Sequence, residues 1–110
     1  MEDQNDSDLV EVRKLCDKFF EHIPCQPDEA LRYFKLIVDQ VKALKEEQSI
    51  FYQPAQRLLD TCLQGLRRIS PMLPTIMKGL MEGRDENWLR IQCSELDVRI
   101  VSALTDYIFD

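Results

Sequence analysis

The chain has 110 residues, of which 45% are hydrophobic and 31% charged, and carries a net charge of −6. That length suits one domain whose core needs no metal or disulfide support, and three glycines with no biased tract leave little room for linker. No apolar run nears the ~20 residues of a membrane span, the acidic start (Glu2, Asp3, Asp6, Asp8) is unlike a secretory signal, and the negative balance argues against a nucleic-acid partner.

The hydrophobic pattern is helical throughout, with no segment alternating at period two. A first helix is expected from Ser7, as N-cap, to His22. Leu9, Val12, Leu15, Cys16, Phe19, Phe20 and Ile23 share an arc of about 140°, and Pro24 stops the helix. A second helix starts at Pro27, a residue suited to the first helical position, and runs to about Gln48. Asp28 and Glu29 complement its dipole at one end, Lys42 and Lys45 at the other. Its apolar set, Ala30 to Leu44, spans a broader arc of about 160°.

From Pro54 onward, Ala55, Leu59, Cys62, Leu66, Ile69, Leu73, Ile76 and Leu80 recur at alternating spacings of four and three, an unbroken heptad seam. The seam keeps its phase through Pro71 and Pro74. It predicts one long helix from Gln53 to Glu82, kinked near Ser70–Pro74; the alternative is a break there and a separate short helix from Pro74. Gly83 ends this segment and Asp85 caps a last helix. Leu89, Cys93, Leu96, Ile100, Ala103, Leu104 and Tyr107 face inward there, flanked by Val101 and Ile108. The fold expected is all-α, an antiparallel four-helix bundle with a long, proline-kinked third helix, or five helices if that helix breaks. It forms a single helical-bundle domain over 1–110. The apolar end Ile108-Phe109 suits a docked terminus or a cut from a longer protein, and the second is favoured.

Candidate chemistry is sparse. His22 is the only histidine, so any Ser-His-Asp or Cys-His mechanism must use it. His22 and Cys25 together are two ligands short of a closed zinc site. Cys16, Cys62 and Cys93 fall at core positions, and all four cysteines read as reduced thiols of a cytoplasmic or nuclear protein. There is no phosphate loop or dinucleotide fingerprint. No catalytic residue, metal or cofactor is therefore assigned.

The stronger signals are apolar residues off the core face. Trp88, Ile91 and Val98 lie opposite Leu89, Leu96 and Ile100 on the last helix, and Leu36 points away from the arc of the second. Arg67 and Arg68 project about 100° apart, leaving at least one for solvent or an acidic partner. Phe51 and Tyr52 read as a plug at the bundle end. Charge is uneven along the chain: residues 1–29 hold nine acids and three bases, 30–81 four and eight, 82–110 seven and three.

Arg67-Arg68-Ile69-Ser70-Pro71-Met72-Leu73-Pro74-Thr75-Ile76-Met77-Lys78 resembles a helix of the vinculin and α-catenin superfamily. There a proline precedes an apolar pair a few residues before a lysine, inside a long amphipathic helix. Ile76, where that family often has a small residue, and the second proline Pro74 depart from the pattern. The resemblance implies a bundle from an adhesion or actin-cytoskeleton adaptor, and it carries over no actin-binding residues. The function expected is non-catalytic protein–protein interaction, an adaptor or scaffold domain meeting a partner through a helix face or groove, without membrane insertion. The other reading is a structural subunit or oligomerisation domain, with a homodimer as one form.

Overall fold

A computed structural model describes residues 3–94 and 96–109, with side chains described for 9–94 and 96–106. The described residues form six α-helices: α1 (Asp3–His22), α2 (Pro27–Glu46), α3 (Tyr52–Gly65), α4 (Leu73–Met81), α5 (Glu86–Gln92) and α6 (Val98–Phe109). A 3-10 turn (Leu66–Arg68) follows α3. No described residue is in a strand. The chain is all-α, as the periodicity requires.

Helix α2 is the hub. It packs against α1, α3 and α6, while α1 also meets α3. Three neighbours explain why its apolar arc is the broadest: Ala30, Leu31, Phe34, Ile37, Val38, Val41 and Leu44 are all buried. Aromatic rings join the first three helices. Phe19 of α1 lies 5.9 Å from Phe34 of α2 and meets Phe20 edge-on at 5.0 Å. Phe20 in turn covers Gly65 of α3 so closely that a Cβ there would sit 2.5 Å from its ring. That approach needs a residue with no side chain.

Helix ends follow local chemistry. Helix α1 stops at His22, because Pro24 disfavours helical backbone at Ile23. It starts at Asp3, so Ser7 lies inside it and is not its cap. Nothing among Asp3, Gln4, Asn5 and Asp6 breaks a helix, and acids there favour its positive end. Helix α2 begins on Pro27 with Asp28 and Glu29 in its first turn. It closes in a Schellman motif: Gln48 N–H donates to Lys45 O and Ser49 N–H to Leu44 O. Gln48 holds φ +55° there. The same motif closes α4, where Gly83 N–H donates to Leu80 O and Arg84 N–H to Gly79 O, with Gly83 at φ +99°. Asp85 caps α5 as expected, its Oδ1 accepting from Trp88 N–H at 3.0 Å.

Two expected helices are divided. The segment 53–82 is two helices, not one kinked helix. Each proline removes an N–H, and Pro71 also clashes with the preceding turn, so a helix interior bears about 3 kcal/mol or more at each. Pro74 instead sits in the first turn of α4, where its missing N–H costs nothing. The chain also reverses. Leu59 and Leu80 line the same groove, whereas in a continuous helix they would lie about 30 Å apart along the axis. The long projecting third helix of the expected four-helix bundle is therefore absent. The last helix also splits, at 93–97, where Asp97 starts α6 by accepting Arg99 N–H at 2.8 Å. Leu89, Cys93, Ile100, Ala103 and Leu104 are still buried and Leu96 is half-buried; the side chains of Tyr107 and Ile108 lie outside the described residues.

Two stability outcomes follow from these ends and contacts. Gln48→Gly should stabilise the fold by about 0.5 kcal/mol in urea unfolding, because relief of left-handed strain exceeds the added unfolded-chain entropy; a loss of stability would contradict the helix end described. Gly79→Ala puts a Cβ into the ring of Trp88. Overpacking of about 1–3 kcal/mol, offset by about 1 in helix propensity, should leave a net loss near 1 kcal/mol. Emission from the single tryptophan should shift to the red, and unchanged emission would contradict the contact.

Candidate functional site

The α3–α4 reversal builds a groove. Its walls are a stripe of α2 (Val38, Val41, Lys42 and Lys45), one face of α3 (Tyr52, Gln56 and Leu59), and the end of α4 (Leu80 and Met81). The spacings within α2 and α3 are those of one helical face. The groove has a volume of about 240 Å3 and is half open to solvent. Its floor is apolar: Val38, Val41, Leu59 and Leu80 are each at most 6% exposed. Met81, 38% exposed, forms part of the lip.

Lys42 and Lys45 stand on the rim, one turn apart and exposed. Among the described residues, no carboxylate lies within ion-pair distance of either. Elsewhere on the helices, cations do have such partners: Lys18 with Glu21, Arg32 with Glu29 and Asp106, Lys35 with Asp39, Arg90 with Glu86. The two lysines also border a shallower depression with Glu46 and Gln48. Tyr52 and Gln56 add hydrogen-bonding groups to an otherwise apolar wall. The groove thus combines an apolar floor, a cationic rim and two hydrogen-bonding side chains.

The sequence-predicted residues lie elsewhere. Trp88 is half-buried, laid over Gly79 with the Arg84 guanidinium 5.8 Å from its ring, so it ties α5 to α4. Ile91 on α5 and Val98 at the start of α6 are 73% and 80% exposed. The break between those helices removes the common face expected for Trp88, Ile91 and Val98. Leu36 is 48% exposed on α2. Arg67 and Arg68 are exposed in the 3-10 turn. None of these six lines the groove. Sequence reasoning read Lys42 and Lys45 as dipole complements and Tyr52 as a plug. Only the alternative of a break at the two prolines contained the signal for a groove.

Of the reactive residue types, the single histidine is hydrogen-bonded, three cysteines are buried and one is exposed. His22 Nδ1–H donates to Lys18 O at 2.7 Å, and its ring lies 5.0 Å from that of Tyr33. Among the described residues, no group of three His, Cys, Asp or Glu side chains could hold a metal ion. All four cysteines are free thiols, with Cys16, Cys62 and Cys93 buried and Cys25 exposed. The hydrogen bond to Cys16, with burial, raises the Cys62 thiol far above the usual range, and burial raises Cys93. No helix among the described residues is long and apolar enough to cross a membrane.

No family model matches the chain, and neither a curated protein nor a solved structure matches it significantly.

Thiol titration checks the burial pattern. With a disulfide reagent under native conditions, one thiol, Cys25, should react quickly, and the other three only on unfolding. Fast reaction of two or more would mean that the α1–α3 core or the Cys93 site opens readily.

Proposed function

We propose that this chain is a non-catalytic protein-interaction domain, an adaptor or scaffold module that receives a helical segment of a partner in the α2–α3–α4 groove. The observation that carries this reading is the groove itself: an apolar floor beneath two lysines that have no carboxylate partner among the described residues. Laying an amphipathic helix into an apolar groove is a general mode of recognition. Engagement of the single histidine in a helix-end hydrogen bond supports a non-catalytic role. Free thiols fit a reducing compartment, the cytoplasm or the nucleus, and the net charge of −6 favours protein over nucleic acid as partner. An adhesion or actin-cytoskeleton setting rests on the resemblance of residues 67–78 alone.

A second reading, a structural subunit or oligomerisation domain, is favoured by the exposure of Ile91 and Val98. Leu36, Arg67 and Arg68 remain candidate contacts under either reading, and Trp88 would act by holding α5 in place.

The two readings separate in one comparison. Partners recovered by cross-linking in cells should be lost with Met81→Glu, at the groove lip, and kept with an Ile91→Asp/Val98→Asp double variant. The reverse pattern, together with loss of a dimer in light scattering by the double variant, would favour oligomerisation.

A further inference from the structure

We infer that the groove selects an acidic amphipathic helix of another protein, whose carboxylates pair with Lys42 and Lys45 while two or three apolar side chains fill the floor; this rests on the groove reading above. Three observations point the same way. The groove, at about 240 Å3, lies below the ~300–1,000 Å3 of pockets that enclose small ligands. Being half open, it suits side chains projecting from a helix that stays outside. The floor is contributed by three helices, so anchors spaced i, i+3 or i+4 and i+7 on one partner face could each meet a different wall. Met81 at the lip is unbranched and adapts to the anchor it meets.

Charge complementarity sets the sign. Lys42 and Lys45 are three residues apart on one face of α2, a spacing matched by carboxylates three or four residues apart on a facing helix. Among the described residues, neither lysine has an ion-paired carboxylate to displace first. Glu46 lies one turn beyond Lys42 on the same side of α2 and shares a second depression with both lysines, but it is not within ion-pair distance of either and does not line the groove. The other groove walls, Tyr52, Gln56, Leu59, Leu80 and Met81, bring no charge. A basic helix would therefore place like charges over the cationic rim, while an acidic one would bring carboxylates to two lysines that lack an ion-pair partner among the described residues.

The test is selection from a displayed library of 16-residue amphipathic helices, each with an apolar i, i+4, i+7 face and randomised flanking positions, panned on the full chain at low salt. The expected winners carry Asp or Glu flanking the apolar face. They should bind the Lys42→Glu/Lys45→Glu variant about ten-fold more weakly and lose binding to Met81→Glu. Winners that depend on Met81 but carry neutral or basic flanks, or ignore the lysine reversal, would overturn the inference and leave the groove reading standing. If no winner depends on Met81, both fall. Groove occupancy by laurate or by a second copy of the chain, sensitive to Met81→Glu with no peptide enriched, would assign the site to that occupant and overturn the inference.

Discussion

Pro71 and Pro74 lack the N–H groups that an α-helix through residues 66–76 would need, and the layout of the molecule depends on that deficit. A single interior proline can be absorbed as a kink, because one missing bond and one clash are local. Two prolines three residues apart disrupt consecutive turns. The chain instead tightens into a 3-10 turn after Gly65, passes Ser70 and Pro71 without helix, and restarts at Leu73 with Pro74 where a proline fits. Because α4 then runs back toward the start of α3, Leu80 and Met81 arrive beside Val41 and Leu59. Without that reversal there would be no third wall, and the α2–α3 face would be a shallow surface rather than a groove.

The reversal is stable only because the remainder of the fold can seat it. Helix α2 supplies the platform, with buried residues facing α1, α3 and α6. The Phe19–Phe20–Phe34 cluster fixes α1 against α2 and, through Gly65, against the end of α3 just before the chain turns. On the far side, Trp88 lies on Gly79 and holds α5 to α4. Two glycines, Gly65 and Gly79, thus each lie beneath an aromatic ring with no room for a Cβ. Exposed ion pairs such as Arg32 with Asp106 add a link between α2 and α6, but pairs this solvated contribute about 0–1 kcal/mol. The core, not the charges, holds the elements.

What the sequence disclosed follows from which signals are local. Every seam residue from Ala55 to Leu80 except Ile69 is buried, and the caps at Asp85 and Gly83 stand where their chemistry places them. Burial periodicity reports which residues face the core, and two helices on the same core keep the same phase as one. The heptad register therefore could not distinguish a kink from a reversal at Pro71 and Pro74. The same ambiguity misled at 93–97, where Leu96 and Ile100 fit one helical face although Asp97 begins a new helix. Trp88 lies off the core face of its own helix, and the cover it receives from Gly79 of another helix is a contact no spacing encodes. Lys42, Lys45 and Tyr52 were visible as residues, but their relation to Met81 exists only once the chain has folded back.

The net charge of −6 and a cationic groove rim are compatible, because screening limits how far each charge acts. At physiological ionic strength, interactions between exposed charges fade over about 8 Å. The acids concentrated in residues 1–29 and 82–110 therefore act mainly on their own surroundings, while Lys42 and Lys45 have no carboxylate at ion-pair distance among the described residues. A charged rim governs orientation and discrimination more than affinity. In the proposed complex the apolar floor would supply most of the affinity, and the lysines would set which helices, in which direction, gain access to it.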